Sequence, residues 1–163
     1  MIDIGGGDSR LVDHLVARGL RCLTVLDVSG AALARVRARL GEQAARVVWI
    51  EADVTGPWTV PSVDVWHDRA VFHFLTDAAD RARYVGHVRE AVKSGGTVII
   101  ATFAPDGPDR CSGLPVCRYD AAGIAAELGE MFTLVETIAD VHRTPSGGAQ
   151  SFIYSRFVRE PPA

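Results

Sequence analysis

Three consecutive glycines, Gly5, Gly6 and Gly7, follow the apolar residues Ile2 and Ile4 and lead directly into Asp8 and Ser9. Such a turn reaches positive φ and lets a ligand approach the main chain without meeting a Cβ. A carboxylate follows at a telling distance. Asp27 ends the run Cys22-Leu23-Thr24-Val25-Leu26, and about 20 residues is the spacing at which a strand-end acid meets a ribose diol. A carboxylate suits that task because it accepts two hydrogen bonds and stays charged at neutral pH. The alternative readings are a tight turn that only packs helix on strand, and an acid that only caps the next helix. Farther on, His67, Asp68 and Arg69 follow the short apolar run Val63 to Trp66. They form either a set facing a ligand at the carboxyl edge of a sheet, or an ion pair or helix start.

The elements that must hold these residues alternate. Ile2 to Ile4 reads as a strand. Asp8 or Ser9 caps a helix with Leu11, Val12, Leu15 and Val16 on one face, ending near Gly19. Leu23 to Leu26 is the second strand, Ser29 caps a helix through Leu40, and Val47 to Ile50 is the third strand. Val63 to Trp66 is a fourth, Asp77 to Val92 an amphipathic helix, and Thr97 to Phe103 a β-branched fifth strand after Ser94-Gly95-Gly96. Then come a loop from Ala104 to Arg118, a helix from Ala121 to Leu128, and strands from Thr133 to Ile138 and Ser151 to Val158. The last connection, containing Thr144-Pro145-Ser146-Gly147-Gly148, is too short for a helical crossover, so the final strand runs antiparallel. With 163 residues and 48% hydrophobic content, residues 1–163 read as a single α/β domain.

Composition narrows the function classes. A net charge of −3 and the absence of a basic stripe give nucleic acid little to hold, and no apolar run is long enough to span a membrane. Cys22, Cys111 and Cys117 lack paired metal-ligand spacing, so no metal site is implied, and the expected location is cytoplasmic. A nicotinamide-dependent oxidoreductase is disfavoured, because Arg10 stands where a dinucleotide fingerprint places its last glycine and no Tyr-x-x-x-Lys set appears.

The ordered motifs Asp3-Ile4-Gly5-Gly6-Gly7, Asp27, Ala52-Asp53-Val54, Asp64 to Arg69 and Lys93-Ser94-Gly95-Gly96 resemble those of the class I S-adenosylmethionine-dependent methyltransferases. The resemblance covers almost the whole chain. It implies a doubly wound, Rossmann-like, mostly parallel seven-stranded sheet with an antiparallel last strand and helices on both faces. It implies S-adenosyl-L-methionine as cofactor and S-adenosyl-L-homocysteine as product. Gly5, Gly6 and Gly7 then pass under methionine and ribose, Asp3 orients that turn or engages the amino group, and Asp27 accepts both ribose hydroxyls. Val28 faces adenine, Asp53 accepts from its amino group beside Val54, and His67, Asp68 and Arg69 border the methyl group. Asp53 reads otherwise as a turn residue before Thr55-Gly56-Pro57.

The acceptor is expected to be a small molecule, with a protein acceptor and a cofactor-binding module of little activity as the alternatives. Asp106, Cys111, Ser112 and Arg118, from the loop after the fifth strand, are the candidate acceptor contacts together with His142 of the last hairpin. The other reading is a plain surface loop with inert thiols. His67 or His142 is the candidate base for an acceptor that arrives protonated. His73, among Val71, Phe72, Phe74 and Leu75, reads as a packed histidine, and the Arg83, Tyr84 and His87 neighbourhood as a solvated helix face. The family's N-terminal lid segment has no counterpart before Ile2, so a homodimer covering an open cofactor cleft is a further expectation.

Overall fold

The computed structural model describes residues 1–59, 61–144 and 147–161. Strand β1 (Ile2–Ile4) is followed by α1 (Leu11–Ala17), β2 (Leu23–Asp27), α2 (Gly30–Leu40) and β3 (Val47–Glu51). After these come β4 (Val63–Arg69), α3 (Ala78–Ala91) and β5 (Val92–Phe103). A two-residue pair, β6 (Arg110–Cys111) and β7 (Leu114–Pro115), precedes α4 (Ala121–Leu128), β8 (Phe132–Arg143) and β9 (Ala149–Arg159). The main sheet has seven strands in the order β3-β2-β1-β4-β5-β9-β8. Every pair is parallel except those of β9, which runs antiparallel to both β5 and β8. The doubly wound architecture expected from the sequence is therefore the one observed.

Period-two alternation divides the core between the two sheet faces. Leu23 and Val25 pack with Val12, Val16, Leu33 and Val36 of α1 and α2. On the opposite face, Ile2, Ile4, Leu26, Trp66, Val98 and Ile100 pack with Tyr84, Val85 and Val88 of α3 and Ile124 and Leu128 of α4. Local chemistry sets the helix starts: Ser29 Oγ accepts from Ala32 N–H, Asp77 Oδ1 from Ala79 N–H, and Asp120 Oδ1 from Gly123 N–H. At α1 the N-cap position falls to Arg10, which makes no side-chain cap bond, so neither expected residue caps the helix: Ser9 Oγ accepts from Leu11 N–H from one position earlier, while Asp8 pairs with Arg35.

Three boundaries differ from the sequence reading. Strand β4 runs on through His67, Asp68 and Arg69, because β1 and β5 flank it and pair with these positions in register. Strand β5 starts at Val92; a register shift against Val63 and Val65 absorbs Lys93 to Gly96, with Gly95 at φ +72. The last hairpin extends to Arg143 and from Ala149, closed by Thr144 N–H donating to Gly148 C=O, and Pro145 and Ser146 of the expected turn lie outside the described residues. Tyr84, read as part of a solvated helix face, is fully buried instead, because its hydroxyl is satisfied inside the core by Asp68 and Trp66. His73 is buried as expected. Large exposed apolar side chains include Val28 and four residues of β8, namely Leu134, Val135, Ile138 and Val141. Among the described residues no helix is long and apolar enough to cross a membrane, and no group of three or more His, Cys, Asp or Glu could hold a metal ion.

Candidate functional site

The carboxyl ends of β1, β2 and β4 meet at the glycine turn. Gly5 N–H donates to Leu26 C=O at 2.7 Å, tying the turn to β2. Gly5 and Gly7 have φ of +64 and +24, and a Cβ on Gly5 would overlap Val71 Cγ2. The turn therefore needs glycine for its backbone conformation and for the approach of the chain after β4. Two cavities open on either side of it. The first, about 410 Å³, is lined by Gly5, Asp27, Val28, Ala52, Asp53, Val54, Ala70, Val71 and Phe74, among others. The second, about 420 Å³, is lined by Asp3, Gly5, Gly6, Ser9, Leu11, His67, Arg69 and Tyr154, along with Ile4. Both are of the size that takes small ligands.

In the first cavity Asp27 stands at the end of β2 with Oδ1 accepting from Ser29 N–H at 2.8 Å. Ser29, not Asp27, caps α2, so Asp27 is not a helix-capping acid. Its Oδ2 borders the glycine turn, 2.7 Å from where a Cβ on Gly7 would stand. Asp53 makes a local turn, with Oδ1 accepting from both Thr55 N–H and Thr55 Oγ1 at 2.8 Å. Those two donors hold its carboxyl below the usual range. The turn reading of Asp53 and its place in the cavity wall are thus compatible, since Oδ2 makes no hydrogen bond to the protein among the described residues.

In the second cavity Asp3 and His67 are register partners on β1 and β4. His67 Nδ1 lies 2.7 Å from Asp3 Oδ1. A carboxylate accepts, so Nδ1 carries the proton, and in the neutral ring Nε2 is left as an acceptor. Among the described residues Asp3 Oδ2 is buried with no partner. Arg69 donates from Nε to Tyr154 Oη at 2.8 Å, and its guanidinium carbon sits 4.8 Å from the centre of the Phe152 ring.

Asp68 belongs elsewhere. It is fully buried on the face of α3 and lines neither cavity, which corrects its expected place beside the cofactor. Its Oδ1 accepts from Val71 N–H at 2.9 Å, and its Oδ2 from Phe72 N–H at 3.0 Å and from Tyr84 Oη at 2.6 Å. Trp66 Nε1 in turn donates to Tyr84 Oη at 2.8 Å. Burial outweighs these bonds and pushes the Asp68 carboxyl up to about 6. Asp68 thus holds the residues after β4 in the bend that brings Val71 against Gly5. Ala70, between them, has φ +68, a conformation that costs a residue with a Cβ.

The loop candidates line neither cavity. Arg118 Nη1 donates to Gly107 C=O at 3.2 Å and fastens the loop to itself. Asp106 accepts from Ser151 Oγ at 3.4 Å, and Ser112 is the exposed tip residue of the β6–β7 pair with φ +50. Cys111 packs with Ala70, Phe103, Phe152 and Tyr154 behind the Arg69 corner. His142 is on β8 with its ring 6.3 Å from that of Phe152. Ser9, Leu11, Ala70, Val71, Phe74 and Tyr154 are cavity residues that the sequence reading missed; alternation along β9 puts Tyr154 on the face of His67 and Arg69, but nothing in its local sequence marks it.

The residues fit S-adenosylmethionine on two observations. Gly5 lines both cavities and puts no Cβ into either, and the orphaned Asp3 Oδ2 beside Gly6 is matched by the ammonium end of such a cofactor. Comparison with known proteins agrees. The sequence profile of a family described as methyltransferase domain matches residues 2–98. Among solved structures, an S-adenosylmethionine-dependent methyltransferase from Methanosarcina mazei superposes with a TM-score of 0.79 at 14% identity, covering 99% of this chain and 92% of that one. The N-methyltransferase NodS from Bradyrhizobium japonicum WM9 does so at 0.75 and 18% identity, covering 98% and 85%. The 1,6-didemethyltoxoflavin-N1-methyltransferase from Burkholderia thailandensis, solved with 1,6-didemethyltoxoflavin and S-adenosylhomocysteine bound, gives 0.74 at 20% identity, covering 98% and 70%. No curated protein sequence matches the chain.

Proposed function

The chain belongs to the class I S-adenosylmethionine-dependent methyltransferases, and from that premise we propose that it methylates a small-molecule acceptor bound beside the second cavity. The observation that carries this reading is the pair of small-ligand cavities meeting at one glycine turn, with Asp27 and Asp53 on one side and the Asp3–His67 pair on the other. Two of the similar structures are N-methyltransferases, and one holds a small heterocyclic acceptor, which supports a small acceptor here.

Bound S-adenosylmethionine supplies an electrophilic methyl group on a sulfonium. The chain's own residues bind, align and receive a proton. Asp27 Oδ2 would accept from the ribose diol while Ser29 N–H holds Oδ1. Asp53 Oδ2 would accept from the adenine amino group, and Val28, Val54 and Phe74 would give the ring an apolar wall. His67, fixed by Asp3 in the tautomer with Nε2 free to accept, removes the proton of an acceptor hydroxyl, thiol or ammonium. Displacement at a methyl group is chiefly a matter of alignment, so one well-held base is sufficient equipment.

Calorimetric titration with S-adenosylhomocysteine tests the reading. Saturable binding that Asp27→Ala weakens by about 10-fold or more is expected, given the strength of bonds to a charged acceptor. No binding by the folded protein, or equal binding by the variant, would overturn it.

A further inference from the structure

Arg69 stands out from the other polar residues of the second cavity by where it leans. It leaves the end of β4, and its side chain reaches across β5 to Tyr154 and Phe152 on β9, away from the glycine turn on β1. The Tyr154 hydroxyl and the Phe152 ring hold the guanidinium from two directions. Among the described residues no acidic side chain pairs with it. The bond uses only Nε, so both terminal nitrogens keep their donors. Tyr154 Oη accepts that bond, which leaves its own proton to donate. The next residue, Ala70, is held at φ +68, so the corner is built at a conformational cost.

We infer that Arg69 and Tyr154 form a receptor for an anionic oxygen group of the carboxylate class, carried by the methyl acceptor. A planar fork with two free nitrogens beside a hydroxyl donor matches a carboxylate edge-on. The pre-held guanidinium has little side-chain freedom left to lose when the anion arrives. A carboxylate also occurs on the amino acid head of S-adenosylmethionine, and both sources present the same chemistry to the fork. The direction in which Arg69 leans favours the acceptor. The inference rests on the methyltransferase reading only for naming the source; the fork itself belongs to the chain.

The test compares wild type with Arg69→Gln and with Arg69→Lys, which keeps the charge but not the fork, after circular dichroism confirms their folds. Benzoate is titrated by NMR with and without S-adenosylhomocysteine, and S-adenosylhomocysteine and 5′-methylthioadenosine, which lacks the amino acid head, are titrated by calorimetry. The expected result is benzoate binding that weakens at least about tenfold in Arg69→Gln and less in Arg69→Lys, with S-adenosylhomocysteine affinity unchanged. If Arg69→Gln instead weakens S-adenosylhomocysteine and spares 5′-methylthioadenosine, the carboxylate is the cofactor's and the assignment to the acceptor is overturned. Benzoate and S-adenosylhomocysteine affinities both insensitive to Arg69→Gln overturn the proposal. Failure of both nucleosides to bind wild type overturns the methyltransferase reading separately, and the benzoate arm without nucleoside still reads the fork.

Discussion

At the scale of single residues, two buried groups give the stability of this protein a concealed pH dependence. The Asp68 carboxyl, pushed up to about 6 by burial, keeps its proton in the folded state between about pH 4 and 6, where the unfolded chain has released it. Its contribution to stability is therefore full below the unfolded value and is lost as pH rises through 6. His73 works in the opposite sense. Burial pushes its imidazole down to about 4, while the unfolded chain takes up that proton near pH 6.5, so stability is lost as pH falls from there. The two slopes oppose each other between about pH 4 and 6. Urea denaturation over this range should show little net effect of the pair in wild type. Asp68→Asn should expose a loss on acidification approaching 1.4 kcal/mol per pH unit, and His73→Asn a slope of opposite sign. Parallel slopes in the two variants would contradict the assignment. A second residue-scale prediction concerns Asp3. Nitrogen-15 NMR should find the His67 proton on Nδ1 in wild type, and Asp3→Asn should abolish that preference; an Nε2–H ring in wild type would remove the proposed base.

Among the elements, α3 acts on the cofactor cavity without lining it. Tyr84 donates to Asp68 and accepts from Trp66, and Asp68 fixes the backbone of Val71 and Phe72. Tyr84→Phe leaves the buried Trp66 indole donor without its acceptor and removes one of the two donors on Asp68 Oδ2, a cost of about 1–3 kcal/mol. It should also weaken S-adenosylhomocysteine binding, because Val71 packs against Gly5; unchanged affinity in a destabilised variant would confine Tyr84 to the core. The elements themselves were largely legible in the sequence. Strong periodicity and caps such as Ser29, Asp77 and Asp120 mark the strands and helices, because those signals are local. The end of β4 was not legible, since pairing with β1 and β5 decides it. Asp68 looked like a site residue for the same reason: the three consecutive polar residues His67, Asp68 and Arg69 read as one group until the pleat separates them. The Asp3–His67 pair had a usable signal, a polar residue in each of two strands that this sheet order makes adjacent. The Tyr154 contact to Arg69 spans 85 positions and had none.

For the whole molecule, the two cores share a single sheet, so damage far from the glycine turn should lower global stability and leave the cavities intact. Leu128→Ala, in the fully buried face of α4, should cost about 2–5 kcal/mol and lower Tm by about 4–20 °C. Its S-adenosylhomocysteine affinity at 25 °C should equal that of wild type. Ligand at 100 times its Kd should add about 2.7 kcal/mol and raise Tm by about 5–11 °C in both proteins. A Tm insensitive to ligand would count against binding to the folded state. The carboxyl end of β4 gives the molecule one further property. His67 and Arg69 look one way and Asp68 the other, so parity along seven residues separates reagents from keystone. Losing a single residue inside that strand would turn the reagents into the core and the keystone out to solvent, leaving the composition of the site almost untouched and its chemistry undone. Length changes are absorbed where the β4–β5 pairing begins, at the Lys93–Gly96 bulge of β5 that already accommodates a mismatch with β4; within β4 there is no neutral shift.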